Sequence, residues 1–289
     1  MNTKYFKILA ISMIVAFLLG PFVSGVAATS KPAFTQSNGK VDVQTDQATI
    51  SVTGGGNIPF YNIKLNGTSK ASYEVKFSSI QEFVDKNGNG LIDNGELVPN
   101  SGVSLASLNW DFSGFSTTND SSNNIQKIDF NFTSAASSKN PEIQLRNHID
   151  VSQGNSIKFD LIMAGYTWTS TNTSAKLAVK FQIAGGNITQ GSNKNDLSFG
   201  EAQFSSVSTA STPDGNINVN TQVDNGNSFY LIYDHFNGNF EHDPTFSAVA
   251  QSGTDTTSSK TSGVSLELLP ILTGLAFVGI GYTKKRKVN

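Results

Sequence analysis

The chain has no cysteine among its 289 residues. That excludes a disulfide framework and a thiol nucleophile, and leaves a secreted body to rely on its hydrophobic core alone. Charge is sparse and nearly balanced, with 20 Lys and Arg against 22 Asp and Glu and a net charge of −2. There is accordingly no basic footprint for nucleic acid. No Gly-x-Ser-x-Gly elbow is present, so the strand-to-helix nucleophile motif is missing. Between the two ends, no stretch sustains the 3.6-residue apolar period of a helix.

The ends are different. Residues 1–28 open with Lys4 and Lys7 and continue as an apolar run from Ile8 to Leu19. Pro21 breaks that run, and Val26-Ala27-Ala28 follows it. This is the three-part layout of a secretory signal peptide, with the mature chain expected to start near Thr29. Residues 264–282 form a second apolar run, followed by Lys284, Lys285, Arg286 and Lys287. At about 1.5 Å per residue the run reaches across a bilayer core of about 30 Å. The basic cluster behind it is the positive-inside signal for a cytoplasmic tail at residues 283–289. Residues 251–263, rich in Ser and Thr, read as a flexible linker. The expectation is a single-pass cell-membrane protein whose body, residues 29–250, is extracellular.

That tail resembles the C-terminal sorting and anchoring tails of prokaryotic surface proteins, closer to the archaeal type. Leu269-Pro-Ile-Leu-Thr-Gly274 resembles a sortase signal but has one residue too many and lies inside the apolar run, so sortase cleavage is not implied. The resemblance covers only the tail and implies nothing about the body.

The body alternates with a period of two. Tyr73, Val75 and Phe77 share a face, as do Ile128, Phe130 and Phe132, and Ile157, Phe159, Leu161 and Met163. Leu177, Val179, Phe181 and Ile183 repeat the pattern, followed by Phe229, Leu231 and Tyr233. Gly- and Asn-rich turns separate these runs, among them Gly185-Gly186, Asp214-Gly215, Asn225-Gly226 and Asn237-Gly238. The pattern predicts an all-β antiparallel β-sandwich of about ten strands.

One motif stands out. Asp85-Lys-Asn-Gly-Asn-Gly-Leu-Ile-Asp-Asn-Gly-Glu96 matches an EF-hand-like calcium loop position by position. Asp85, Asn87, Asn89, the Leu91 carbonyl, Asp93 and Glu96 stand at the ligand positions, and Gly90 stands at the sharp turn. Calcium takes six to eight hard oxygens, which this loop can supply. The flanking segments are strand-like and there is a single loop. The expected role is therefore a structural clasp of weak affinity, about 10⁻⁴ to 10⁻³ M, and not a sensor.

Two weaker constellations follow. If Asn237-Gly238 is a two-residue hairpin turn, Asp234 and Glu241 lie opposite each other as a possible second metal site, with His235 and His242 on the other face. Tyr166 and Trp168 leave the core face if the alternation of the preceding strand continues, and would then offer a platform for a sugar ring. A bulge at Gly165 would instead turn them inward. These readings favour a non-enzymatic, membrane-anchored surface protein for adhesion or cell-envelope interaction, with glycans or surface proteins as partners. A carbohydrate-binding module is the alternative, and a carboxylate-dependent secreted hydrolase is the remote third.

Overall fold

The computed structural model describes residues 33–248 except 38, 67–69 and 138–139. The expected leader, linker, apolar run and basic tail lie outside the described residues. Among the described residues no helix is long and apolar enough to cross a membrane.

The described chain is all-β. It begins with β1 (Ala33–Ser37), β2 (Lys40–Gln44), β3 (Ala48–Thr53), β4 (Phe60–Leu65) and the long β5 (Ser72–Val84). Next come β6 (Val103–Ser104), a 3₁₀ turn at Leu105–Ser107, β7 (Trp110–Asn119), β8 (Ile125–Ser134), β9 (Glu142–Asp150), β10 (Ser156–Tyr166) and β11 (Ala175–Ala184). Short strands follow: β12 (Thr189–Gln190), β13 (Asp196–Phe199), β14 (Ala202–Ser205) and β15 (Thr209–Thr212). The last are β16 (Gly215–Asn225), β17 (Ser228–Tyr233), β18 (Gly238–His242) and β19 (Thr245–Ala248).

The expected count of about ten is therefore too low: the described residues form nineteen strands, hydrogen-bonded into one antiparallel sheet. Strands of two to five residues are too short to show an alternation, and they make up most of the difference. One arm of the sheet runs β1–β2–β3–β4–β5–β11–β17–β16. The other runs β7–β8–β9–β10, where β10 is flanked by β18 and then β19 along successive stretches. β16 joins the arms, because residues 215–218 pair with β15 and residues 219–225 with β17.

The period-two faces hold without exception: all seventeen apolar residues named above from the alternating runs are buried. Rings carry the contact between the arms. Tyr61 of β4 stacks on Phe159 of β10 at 4.9 Å between ring centres, and Phe77 of β5 meets Phe159 edge-on at 5.6 Å. Phe204 of β14 lies 5.4 Å from Phe181 and 4.7 Å from Phe229. Such pairs add about 0.5–1.5 kcal/mol each beyond the area they bury. A polar link crosses with them, as the buried Tyr61 hydroxyl donates to Asn147 Oδ1 at 2.8 Å. Desolvation raises the Tyr61 hydroxyl well above its ordinary pKa, so it remains a donor.

Candidate metal centre

Residues 85–96 connect β5 to a short returning segment. Val84 N–H donates to Glu96 O and Val98 N–H to Glu82 O, each at 2.9 Å, and Phe83 bridges Leu97. The loop is thus the tip of a hairpin built on β5. β6 begins only at Val103, but chain pairing resumes earlier, at Glu96. Leu91 and Ile92 pack on Phe83, Ala178, Tyr230 and Ile232, an apolar cluster on the outer side of the sheet. A single loop has no second loop to pair with. Here the Gln222 side chain of β16 takes both backbone groups of Ile92, accepting from its N–H at 2.7 Å and donating to its C=O at 3.0 Å.

Backbone amides hold the loop carboxylates. Asp85 Oδ1 accepts from Gly88 and Asn89 N–H at 2.7 and 3.1 Å, and Oδ2 from Gly90 N–H at 2.8 Å. Glu96, 5% exposed, accepts from Lys86 N–H through Oε1 and from Asp93 N–H through Oε2, both at 2.9 Å. The amide nitrogens of Asn87 and Asn89 converge on Asp93 Oδ2 at 2.7 and 2.8 Å. Gly90 adopts φ +77, a left-handed backbone conformation that favours glycine there.

The donor set fits a hard cation. All six candidate ligands offer oxygen, and each Glu96 oxygen accepts a single hydrogen bond, which leaves a lone pair on both. The Lys86 ammonium donates to Gly95 O at 2.6 Å. The Asn87 and Asn89 amides present nitrogen toward Asp93, while their oxygens accept from Asn89 N–H at 3.1 Å and Leu91 N–H at 2.7 Å. The loop carboxylates are not drawn close, however. Among the described residues, a trio of acidic oxygens within 4.8 Å of one another occurs at Asp160, Glu241 and Asp243.

The pairing of Asp234 with Glu241 is corrected. β17 pairs with β11 and β16, whereas β18 pairs with β10 and β15, so residues 234–237 carry the chain between the arms and form no hairpin. Asp234 ion-pairs with Lys176 and accepts from Asn218 Nδ2 at 2.8 Å. Both line an open cleft of ≈ 380 Å³ facing Asp85 and Asn89. Glu241 lies 3.4 Å from Arg146 Nη1. The histidines part as well. His235 stacks on Trp168 at 4.3 Å, and His242 is buried between the Tyr233 hydroxyl and the Val207 carbonyl, each at 2.9 Å.

Gly165, at φ +69, forms the bulge in β10, with a register shift between Met163 and Tyr166. Tyr166 is thereby turned inward, buried against Phe236. Its hydroxyl donates to Glu82 Oε1 at 2.9 Å. Burial, reinforced by the Glu82 charge, pushes that hydroxyl far above its ordinary pKa. Trp168 is half-buried, donates to Phe236 O at 2.8 Å and lines a cleft of ≈ 380 Å³ with Asn100, Asn140 and Thr169. Both residues of the expected platform line that cleft, Tyr166 nearly buried and Trp168 half-buried.

Sequence reasoning missed Glu82. Fully buried, it also accepts from Thr169 N–H at 2.6 Å and Ser170 N–H at 2.8 Å. Its only signal was a carboxylate at the end of a strand, which nothing in the sequence separates from a solvated one. Compared with known proteins, the chain matches no family model and no curated sequence.

Proposed function

We propose that the chain is a membrane-anchored extracellular surface protein, its body a β-sandwich closed along the β15–β16 seam, clasped by one calcium ion and used in adhesion or cell-envelope interaction. The observation that supports this most is the loop 85–96. Its carboxylates are already oriented by five backbone N–H bonds, and its base is sealed to β5 and β16. When bound, calcium supplies a divalent charge that offsets Asp85, Asp93 and Glu96. The chain's own part is to hold those oxygens without helices that could swing apart, which is why the loop acts as a clasp and not a switch. The signal-peptide and anchor readings of residues 1–28 and 264–282 support the surface location. No catalytic role is proposed.

The test is thermal melting and hydrogen exchange of the purified full-length chain with and without calcium. With a Kd of about 10⁻⁴–10⁻³ M, about 10 mM calcium stabilises the native state by about 1.4–2.7 kcal/mol. Glu96→Gln is expected to remove most of that gain, and calcium to add protection at residues 85–98 while β8 and β11 stay unchanged. A gain equal in Glu96→Gln and the parent would refute the loop's role.

A further inference from the structure

β10 buries Ile157, Phe159 and Leu161 and turns Lys158, Asp160 and Ile162 to the opposite face. Its register with β18, Leu161 to His242 and Ile162 to Glu241, brings Asp160 level with Asp243. Glu241 and Asp243 stand two residues apart and so share a face. One oxygen from each of the three carboxylates lies within 4.8 Å of the others. That separation suits ligands on a shared ion at about 2.3–2.6 Å.

A second observation concerns Asp160 alone. It is 6% exposed, although it points away from the main core. Its Oδ2 takes His148 Nε2 at 3.1 Å and Arg146 Nη1 at 3.4 Å. Its Oδ1 is buried and receives no hydrogen bond. The nearest cation to Oδ1 is Lys158 Nζ at 3.5 Å, which sits closer to Asp243 Oδ2, at 3.1 Å. Lys158 is thus shared between Asp160 Oδ1 and Asp243, as Arg146 is between Asp160 Oδ2 and Glu241. A buried charged oxygen without a donor is costly and calls for a partner. The local charge points the same way, because four carboxylates, Asp129, Asp160, Glu241 and Asp243, pair with Arg146, Lys158 and the His148 ring.

We propose that Asp160, Glu241 and Asp243 form a second cation site on the face of β10 and β18, separate from the loop 85–96. Its all-carboxylate donors select a hard divalent ion, calcium or manganese, over soft metals. Glu241 and Asp243, each with 44% of the side chain exposed, give the ion its entry, and Asp160 forms the floor. The rival occupant is the Lys158 ammonium, which would make the cluster a self-contained ion-pair network. The two arrangements respond oppositely to removal of Lys158.

The experiment is titration of the full-length chain with manganese, read by calorimetry and by the electron spin resonance of free manganese. It is done on the Glu96→Gln background so that the loop does not contribute. One site is expected to remain, to weaken about tenfold or more with Glu241→Gln, and to tighten with Lys158→Met. Glu241 is exposed enough that its replacement leaves the fold intact, which circular dichroism checks. Absence of manganese binding on the Glu96→Gln background, no change with Glu241→Gln, or no tightening with Lys158→Met would each overturn the site. The loop itself is read in the reverse background, Glu241→Gln with Glu96 intact, so failure of one assignment is not mistaken for failure of the other.

Discussion

Glu82→Gln tests the most exacting polar arrangement in the protein. The carboxylate is fully buried at the end of β5 and accepts three donors: the Tyr166 hydroxyl, Thr169 N–H and Ser170 N–H. Glutamine keeps the shape but replaces one acceptor oxygen by NH₂. With the amide oxygen kept toward Tyr166 and Thr169, the new NH₂ faces Ser170 N–H. With the amide flipped, it faces Thr169 N–H and leaves Tyr166 Oη as its only acceptor. Either way a donor confronts a donor. One charge-assisted bond is lost, about 1.5–3 kcal/mol, and the stranded N–H adds about 1–3 kcal/mol. The expected loss is thus about 2.5–6 kcal/mol. For a body of this size, at about 2–4 °C per kcal/mol, the melting temperature falls by about 5–24 °C. Differential scanning calorimetry measures it, and amide exchange at Thr169 and Ser170 should accelerate before the sheet as a whole opens. A melting temperature unchanged within about 2 °C would mean that Glu82 does not pin residues 166–170 as described.

Two further outcomes are expected. Full-length protein should sediment with membranes and resist high-salt extraction, whereas a chain ending at Ser262 should appear in the medium; a freely soluble full-length form would defeat the anchor. Burial lowers the His242 pKa below its ordinary value, against smaller opposing effects of the Val207 carbonyl and Asp243. The ring is held neutral, its Nε2–H donating to Val207 O and its Nδ1 accepting from the Tyr233 hydroxyl. Unfolded chains therefore take up the proton first. This histidine's contribution to stability is full above about pH 6.5 and is lost as pH falls below that toward the folded value. Urea melts between pH 7.5 and 5.5 should show the loss, and His242→Gln should flatten it.

The strand faces were legible because each depends on neighbours two residues away. Ile128, Phe130 and Phe132 carry their own instruction, and the twelve-residue loop has its candidate ligands in one stretch. What sequence could not supply was partnership at a distance. Asn237-Gly238 has the composition of a hairpin turn, yet Tyr233 and Phe240 stack at 4.4 Å across a connection between the arms. That contact outweighs the local turn preference. Asp160 and Glu241 belong to strands about eighty residues apart in the chain, and no periodicity announces their meeting. Gly165 was the one ambiguous position, and its left-handed backbone decided the side on which Tyr166 falls.

The pairing of β5 with β11 has a consequence in time. β5 presents one edge to β4 and β6, but its other edge waits for residues 175–184, about a hundred positions downstream. Tyr61 must likewise wait for Asn147 and Phe159. Sheets assembled from such distant pairings fold on the scale of milliseconds to seconds, because the loop-closure cost precedes the contacts that repay it. During synthesis the hydrophobic edge of β5 stays open until β11 emerges. A chain arrested before residue 184 should be held unfolded, and therefore threadable, for as long as the arrest lasts.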